Sequence, residues 1–404
     1  MPLVVVYNPV SGDRNGAQLT TETILPLLTS HGLTPDKVAA TEHAGHAGTL
    51  LLSYISGLAP PERAEGITLV LVSGDGTLHE IVNALHSARA QQDGPFPRLR
   101  IVLLPGGTAN ALHATFFPPS SAEPTTTHSS LLNFLSATPR LVPLTLALTT
   151  IAPPGPGPGP STTVVSAVVT STSLHAAILH DSEALRASVP GIERFKIAGA
   201  QNATTWYRAR ARLLGPVWRY DGGAAGAFVA VEEEEEECEL RGPFAYFVST
   251  VNVDRLEQHF RIAPLQRALP PGHGTQTMDV LVVRPLRDPS LEGKDGEAER
   301  ERFKERLWGV LGGAYQDGAH IHARYASLDG KTDGPLVVEY FRVGGWEWIP
   351  VSVSRSPSPS TDTDYRTRRK MMRKHISFVQ TGRYSMLKRA GKSVQTCWRG
   401  RRTI

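Results

Sequence analysis

Two glycine-rich turns, each placed between a strand-like apolar run and a helix, constrain this chain more than any other feature. The first block is LVLVSGDGTLHEIVNAL at Leu69–Leu85, and the second is IVLLPGGTANALH at Ile101–His113. Unbroken runs of Val, Leu and Ile are typical of strands that are buried on both faces of a parallel sheet. Glycines at the carboxyl ends of such strands let a phosphate approach backbone N–H groups, and a following helix adds its positive end. The pattern therefore predicts two phosphate-binding turns.

Asp75 lies between the two glycines of the first turn and does not suit a simple anion cradle. A carboxylate beside phosphates needs another task, such as accepting a hydroxyl proton or holding a magnesium ion. We therefore predict Asp75 as a catalytic base, and the alternative is a turn residue that caps the following helix. The first domain contains no G-x-x-x-x-G-K-[ST] motif, which disfavours a Walker-type nucleoside triphosphatase.

The order of strand and helix patterns predicts an α/β fold with two domains. From Leu3 to about His113 the pattern strand, turn, helix repeats three times, which favours a parallel sheet with crossover helices. We predict an α/β nucleotide-binding domain at residues 1–145, with a helix near Ala17–Leu28. Residues 146–162, which include PPGPGPGP, are predicted to be a Pro/Gly-rich linker or insert.

Beyond this segment the chain is predicted to form a mostly antiparallel β domain at residues 163–353. Apolar and polar residues alternate in the segments TTVVSAVVTSTS, AAGAFVAVEEE, PFAYFVSTVNV, TMDVLVVRPL, HIHARYASLDG and PLVVEYFRVGGWEWIPVSV. Helices are expected near Glu193–Leu214 and Glu297–Leu311. His320 and His322 would lie on one strand face, but no third ligand accompanies them at a suitable spacing, so we assign no metal site. The active cleft is expected between the two domains.

The formal charge of +4 conceals an asymmetry between the end of the chain and the rest. Residues 355–404 contain 14 Lys and Arg but 2 Asp, so that 354–404 is predicted to be a basic, disordered tail. Its Met, Phe, Leu and Trp residues suit contact with an anionic membrane, where each Lys or Arg contributes on the order of 1 kcal/mol. Nucleic-acid contact, a localisation signal and a solvated tail without a partner are the alternatives.

Cysteine usage and the start of the chain indicate an intracellular protein. Cys238 and Cys397 are the two cysteines, which excludes a disulfide scaffold and a cysteine-based zinc site. Met1 is followed almost directly by VVVYNPVSG without the pattern of a secretion signal, and no run reaches eighteen apolar residues. We therefore expect a cytoplasmic protein with peripheral membrane association.

Four blocks in the first domain resemble the diacylglycerol kinase catalytic domain, which diacylglycerol, sphingosine and ceramide kinases share. In chain order they are NPVSG at 8–12, TEHAGHA at 41–47, SGDGTLHEIVNAL at 73–85 and LPGGTANAL at 104–112. Weaker similarity to sphingosine kinases continues in HAAILHDSEALRASVPGIERFKIAGA at 175–200 and in SLDGK at 327–331. The resemblance covers roughly Leu3 to Val353 and implies a fold like those of NAD kinase and diacylglycerol kinase.

The resemblance implies transfer of the ATP γ-phosphoryl group to a lipid hydroxyl, with ATP and Mg²⁺ as cofactors and Asp75 as the base. The residues that would bind ATP in the first domain are Asn8, Pro9, Thr41, Ser73, Gly74, Gly76, Thr77, Glu80, Gly106, Gly107, Thr108, Ala109 and Asn110. Residues 106–109 would wrap the phosphates through backbone N–H groups, and Asn110 would hold the turn. Glu80 would lie on the metal or ribose side of ATP, or would serve only as a helix-start glutamate.

In the second domain the resemblance implies a lipid contact and three further ATP contacts. Asp181 would bind the lipid headgroup, and Arg194, thirteen residues later, would pair with a phosphate. Asp329 and Gly330 would reach the nucleotide. A surface aspartate and a surface ion pair are the alternatives for Asp181 and Arg194. Lys331 stands where the family has a glutamate, and Ala109 stands where many members have glycine.

A sphingoid base is the acceptor that the block around Asp181 and Arg194 favours, with diacylglycerol or ceramide as alternatives. An NAD kinase is another alternative, because its related fold also uses a G-G-D-G-T turn. An inactive, membrane-recruited scaffold is the non-enzyme alternative, on the basis of Lys331, although Asp75 is retained. We expect a lipid substrate, no nucleic-acid partner, and an oligomeric state that the sequence leaves open.

Overall fold

The first domain is built around a four-stranded parallel sheet in the order β2–β1–β3–β4. The computed structural model describes residues 1–89, 96–119, 126–153, 160–186, 188–189, 191–223, 226–232, 238–269, 276–327, 334–351, 384–385 and 397–398. The strands of this sheet are β1 Leu3–Tyr7, β2 Lys37–Ala40, β3 Ile67–Ser73 and β4 Leu99–Pro105. Every residue of the inner strand β3 is buried, as its unbroken apolar sequence requires. The predicted parallel sheet is confirmed.

Helices connect these strands and cover both faces of the sheet. They are α1 Gly16–Leu19, a π-helical turn Thr20–Ile24, α2 Leu25–Ser30, α3 His46–Gly57, α4 Pro60–Glu65, α5 Asp75–Arg89, α6 Ala111–Phe116 and α7 Ser129–Leu135. Apolar side chains of α3 and α5 pack on one face of the sheet, and side chains from residues 24–28 and from α7 pack on the other. The helices thus cover the faces of the sheet, and the turns that follow the strands lie at the edge formed by their carboxyl ends.

The second domain is a large sheet in which every pairing is antiparallel. Its strands are β5 Leu146–Ile151, β6 Thr162–Ser166, β7 Val169–Thr172, β8 Ala209–Tyr220, β9 Phe228–Val231, β10 Glu239–Arg241, β11 Tyr246–Thr250, β12 Met278–Val283, β13 Glu339–Pro350, β14 Tyr384–Ser385 and β15 Cys397–Trp398. The main path runs β15–β5–β14–β13–β12–β11–β7, while β6 pairs with β5, and β8 pairs with β13, β9 and β10. The predicted antiparallel β domain is confirmed.

Four α-helices and three short 3-10 turns belong to this second domain within the described residues. The helices are α8 Ser173–Leu185, α9 Glu193–Asn202, α10 Leu265–Ala268 and α11 Glu297–Ala314, and the 3-10 turns are Pro285–Arg287, Pro289–Leu291 and Ala319–His322. In the part of the chain that the structure describes, no helix combines the length and the apolar character needed to cross a bilayer.

The structure corrects the predicted helix at Glu193–Leu214. Helix α9 ends at Asn202, and strand β8 begins at Ala209. From Ala209 to Leu213 the residues are alternately buried and exposed, with arginines at the exposed positions. This period of two is the strand signal, and the prediction extended the preceding helix through it.

Residues 146–162, which were predicted to be a linker or insert, contain strand β5 and the first residue of β6. These strands pair to form a hairpin, in which Leu148 lies opposite Val165. Residues 154–159 lie outside the described residues, and so does most of 354–404, of which β14 and β15 are described. The ends of the segment therefore belong to the folded sheet.

His320 and His322 lie in a 3-10 turn instead of the predicted strand. The reason is close packing on helix α11, because a Cβ at Gly313 would lie 2.7 Å from the backbone nitrogen of His320. The buried His320 ring contacts the carbonyl of Ile262 through Nε2, at 2.9 Å. Burial lowers the pKa of His320 to about 4, and the nearby His322 lowers it further while the bond to Ile262 opposes the shift.

The buried His320 gives a pH-dependent contribution to stability. The folded-state pKa lies below the ordinary value of 6.5, so the unfolded chain binds more protons as the pH falls from 6.5 towards 4. We expect the free energy of unfolding to fall with decreasing pH in this interval, by up to ~1.4 kcal/mol per pH unit from this one group. His320→Gln keeps a donor for Ile262 and should reduce the slope, measured by urea denaturation at several pH values. Equal slopes in the two proteins would contradict the assignment.

Candidate active site

The two glycine-rich turns lie directly against each other at the carboxyl ends of β3 and β4. A Cβ built on Gly107 would lie 2.3 Å from the Cα of Gly74, and one on Gly74 would lie 2.9 Å from the Cα of Gly107. The backbone N–H of Gly106 also donates to the carbonyl of Ser73, at 3.3 Å. Since no side chain fits between the turns, glycine is required on both sides of the contact.

Asn110 holds the second turn in shape. Its Oδ1 accepts a hydrogen bond from the N–H of Gly107 at 2.8 Å, and its Nδ2 donates to the carbonyl of Gly107 at 2.6 Å. The backbone of Asn110 is left-handed, with φ of 54°, a conformation that asparagine tolerates better than most residues. The structure thus gives Asn110 the turn-holding contacts that the sequence predicted.

The carboxylate of Asp75 binds the first backbone groups of helix α6. Its Oδ2 accepts from the N–H of Ala111 at 2.6 Å, and its Oδ1 accepts from the N–H of Leu112 at 3.3 Å. Burial raises the pKa of Asp75 above its ordinary value, and these two donors oppose that shift. Asp75 therefore caps the helix of the other turn, whereas the alternative weighed from the sequence was a cap on its own helix α5.

A second set of polar contacts connects the first turn to the loop after β1. The hydroxyls of Ser73 and Thr77 lie 2.6 Å apart, and Nδ2 of Asn8 donates to the Thr77 hydroxyl at 3.4 Å. Asn8 is itself fixed, because its N–H donates to the carbonyl of Val72 and its Oδ1 accepts from the N–H of Val10, both at 3.0 Å. Three turns that follow β1, β3 and β4 therefore meet at one point.

Two backbone N–H groups belong to exposed residues at this meeting point. Those of Thr108 and Ala109 donate to no group within the described residues, and both residues are exposed. A Cβ on Gly76 would have no atom within 4 Å, so the space above the start of α5 is open. Exposed N–H groups beside a helix start form a suitable cradle for phosphate oxygens.

The remaining first-domain residues of the prediction lie around this cradle. Thr41 is buried at the carboxyl end of β2, where its N–H donates to the carbonyl of Tyr7 at 2.9 Å. Pro9 follows Asn8 in the loop after β1, and Glu80 lies half-buried in the second turn of α5. The bonds and close approaches given above connect one set of predicted site residues in a chain of pairwise contacts: Asn8, Ser73, Gly74, Thr77, Gly106, Gly107 and Asn110. Asp75 joins this set through the start of α6.

The second-domain candidates lie on a separate pair of packed helices. Asp181 on α8 accepts a hydrogen bond from Nδ2 of Asn202 at 2.7 Å and contacts Nδ1 of His180 at 2.9 Å. Arg194 on α9 lies with its guanidinium 4.7 Å from the ring centroid of Phe195, and its buried Nε has no hydrogen-bond partner in the described part of the chain. Asp329, Gly330 and Lys331 lie outside the described residues.

Gly12 and Gly16 are site residues that the sequence analysis did not select. Gly12 has a φ of +51°, and a Cβ there would lie 2.7 Å from the carbonyl oxygen of Gly106. A Cβ on Gly16 would lie 2.8 Å from the carbonyl oxygen of Asn8. The glycine that ends the NPVSG block was the signal from which Gly12 could have been predicted as a site residue. Its contact with Gly106, ninety-four positions later, could not be predicted from the sequence.

Residues 2–136 match the family model of the diacylglycerol kinase catalytic domain. The first domain is a diacylglycerol kinase catalytic domain. The match contains all four sequence blocks on which the resemblance was based, and it contains the three turns that meet at the cradle. The sequence-based recognition is confirmed for this domain.

Individual proteins and solved structures are also similar to this chain. Sphingosine kinase 1 of Mus musculus is 30% identical over 146 residues, and the match spans 36% of this chain and 36% of that protein. A crystal structure described as a diacylglycerol kinase from Bacillus anthracis str. Sterne covers 90% of both chains at 14% identity, with a TM-score of 0.42. Another structure from this organism covers 87% of both chains at 13% identity, with a TM-score of 0.44.

The contact between the two turns predicts a sharp difference between two glycine substitutions. Gly107→Ala would place a methyl group against the backbone of Gly74 and separate the turns, whereas Gly76→Ala would point into open space. We expect Gly107→Ala to weaken ATP binding at least tenfold in isothermal titration calorimetry, a change of about 1.4 kcal/mol. Gly76→Ala is the matched control on the neighbouring turn and should retain more of the affinity. Equal affinities would show that the contact does not shape the cradle.

Proposed function

We propose that this chain is an ATP-dependent lipid kinase that transfers the γ-phosphoryl group of ATP to a lipid hydroxyl. The observation that carries the proposal is the cradle itself, in which two glycine turns touch through their backbones and the Asp75 carboxylate of the first turn binds the start of α6 after the second. The diacylglycerol kinase catalytic domain supports the reaction class. The matched segment spans about a third of the chain, so the activity of the whole protein is inferred from its site.

In the proposed reaction the lipid hydroxyl oxygen forms a bond to the γ-phosphorus while the bond from that phosphorus to the β–γ bridging oxygen breaks, releasing ADP. The hydroxyl proton passes to the carboxylate of Asp75. A carboxylate has about four acceptor positions, so the two bonds to α6 leave capacity for this proton. The raised pKa makes Asp75 a stronger base than an ordinary aspartate, and the two bonds fix its orientation.

The residues of the cradle fit ATP phosphates better than they fit a metal ion by itself. The exposed N–H groups of Thr108 and Ala109 and the start of α5 supply donors for phosphate oxygens. Within the described ranges, no group of three or more His, Cys, Asp or Glu side chains could hold a metal ion. Mg²⁺ commonly uses one or two carboxylates together with substrate phosphates, and Glu80 is the candidate here. When bound, the ion would neutralise charge on the phosphates.

We propose a sphingoid base as the acceptor. The match to sphingosine kinase 1 and the predicted headgroup role of Asp181 support this choice. Leu179, Ile192 and Trp308 expose large apolar side chains on or beside α8, α9 and α11. These helices meet at Gly199, where a Cβ would lie 3.0 Å from the Trp308 ring and 3.6 Å from Ile178. Exposed apolar side chains on the helices around Asp181 suit an acceptor with an alkyl chain.

We also propose that the enzyme acts in the cytoplasm at a membrane surface, where its lipid acceptor resides. The exposed apolar side chains of α8 and α11 and the basic residues of the tail support this placement. Contact with the membrane through the basic tail is part of the same proposal. This part rests on the sequence of residues 354–404, most of which lie outside the described residues.

The proposed function is tested by transfer of labelled γ-phosphate from ATP to sphinganine, diacylglycerol, ceramide and NAD. We expect label on sphinganine, and we expect Asp75→Asn to lower the rate by 10²–10⁴-fold, the usual contribution of a positioned base. ATP affinity of the variant, measured in parallel by calorimetry, should remain measurable because the glycine contact is retained.

Asp221→Asn is the matched control for this experiment. Asp221 likewise binds two backbone N–H groups, those of Gly223 and Ala227, but it does so in the loop after β8. The control should keep the wild-type rate. Label on NAD alone would place the protein among nucleotide kinases, and ATP binding without transfer to any acceptor would favour the scaffold alternative.

A further inference from the structure

Asn83 connects the helix that begins with Asp75 to the β5–β6 hairpin. Its Oδ1 accepts from the N–H of Val165, and its Nδ2 donates to the carbonyl of the same residue, both at 2.8 Å. The Nδ2 group also donates to the carbonyl of His79, one turn earlier in α5, at 2.8 Å. The side chain is therefore fixed at both ends, with its amide paired to the backbone of another domain.

The pairing takes the place of a neighbouring strand. Strand β6 pairs with β5 alone among the described strands, so its other edge offers free backbone donors and acceptors. A side-chain amide has the same donor and acceptor as a peptide group, which lets Asn83 satisfy both groups of Val165. A change of residue at position 83 would leave these two backbone groups without their partners.

Asn252 fixes the same hairpin from the second domain. It follows strand β11, has a φ of 62°, and accepts from the N–H of Thr145 at 2.8 Å. Its Nδ2 donates to the carbonyls of Thr145 and Ala167, at 2.7 and 2.8 Å. Because Thr145 precedes β5 and Ala167 follows β6, Asn252 joins the two ends of the hairpin to the large sheet.

Apolar packing holds the same three elements together. Leu78 and Ile81 of α5, Val165 of β6 and Val253 beside Asn252 belong to one buried cluster. The cluster supplies attraction between the domains but has no directional preference. The hydrogen bonds of Asn83 and Asn252 have defined lengths and angles, so they determine at which position along the hairpin α5 is held.

We infer that Asn83 is a positioning residue that sets the distance between Asp75 and the second domain. This inference rests on the proposed function, in which Asp75 and the ATP phosphates lie in the first domain and the acceptor lies in the second. Asn83 is eight residues after Asp75 on one helix, about 12 Å along its axis, and Asn83 does not touch the glycine turns. A shift of α5 against the hairpin would move the base relative to the acceptor hydroxyl.

This geometry separates catalysis from ATP binding. ATP binds to turns of the first domain, whose contacts do not include Asn83, so ATP affinity should not depend on it. The rate of phosphoryl transfer is far more sensitive than ATP affinity to a shift of α5. A displacement of about 1 Å from the productive arrangement can lower the rate by about 10²-fold. Loss of the Asn83 bonds should therefore lower kcat and leave the affinity for ATP unchanged.

The test compares Asn83→Ala with Asn133→Ala in the full chain. Asn133 makes the same kind of paired contact, donating to the carbonyl of Arg140 and accepting from its N–H at 3.1 Å, but both residues belong to the first domain. The measurements are kcat and KM for sphinganine, calorimetric affinity for ATP, melting temperature, and hydrogen exchange of residues 162–166. We expect Asn83→Ala to lower kcat at least tenfold and to speed exchange in this segment, with ATP affinity within twofold of wild type.

Asn83→Asp supplies a readout that general loss of stability would not produce. Its ionised carboxylate can accept from Val165 N–H but repels the carbonyl, whereas the protonated form regains a donor. The activity of Asn83→Asp relative to wild type should therefore rise as the pH is lowered, while that of Asn83→Ala should stay constant. A parallel rise in both variants would overturn the inference.

Four further outcomes are decisive. Unchanged kcat in Asn83→Ala, or an equal loss in Asn133→Ala, would overturn the positioning role. Unchanged hydrogen exchange in Asn83→Ala would overturn the connection between α5 and the hairpin, whatever the activity. Absence of lipid phosphorylation by the wild-type protein would instead overturn the proposed function, and faster exchange in Asn83→Ala would still support the connection.

Discussion

The candidate site depends on one contact, the approach of Gly74 to Gly107 without any side chain between them. Strands β3 and β4 are neighbours in a parallel sheet, so they deliver their turns to the same edge, with Ser73 opposite Pro105. A side chain on either glycine would push the turns apart. Because the turns touch, Asp75 reaches the backbone of α6, and Gly12 of the loop after β1 can rest on Gly106. The placement of the second turn and of α6 relative to Asp75 follows from this approach.

Asp75 has a structural role that constrains its proposed chemical role. Its carboxylate holds the first N–H groups of α6, so the positive end of that helix is balanced by Asp75, and the start of α5 together with Thr108 and Ala109 remains for phosphate. A base held by two bonds does not need to be oriented during the reaction. The same two bonds oppose the rise in pKa that burial causes. The contacts that orient the Asp75 carboxylate therefore also make it a weaker base than burial alone would.

The two domains are joined by more than an apolar surface. The β5–β6 hairpin contacts both α5 and the end of β11, and two asparagine amides, one from each, pair with its backbone. This arrangement relates a helix that carries the candidate base to the sheet that supports α8 and Asp181. The proposed acceptor side and the proposed phosphate side are therefore connected through the hydrogen bonds of these two asparagines.

Local patterns were sufficient for the parallel sheet, the glycine turns and the catalytic domain, because an apolar run followed by glycine and a helix leaves few ways to fold. They were insufficient where the signal lay between distant residues. The cap of Asp75 on α6, the contact of Gly12 with Gly106 and the pairing of Asn83 with Val165 each join segments far apart in the chain. By contrast, the helix predicted through Leu214 was wrong although a local signal was present, because the alternation of apolar and charged residues at Ala209–Leu213 marks a strand. From the sequence alone we could predict where phosphate-binding turns would lie. Only the folded structure shows what each carboxylate and amide contacts, because hydrogen bonds between remote segments depend on packing that no local pattern encodes.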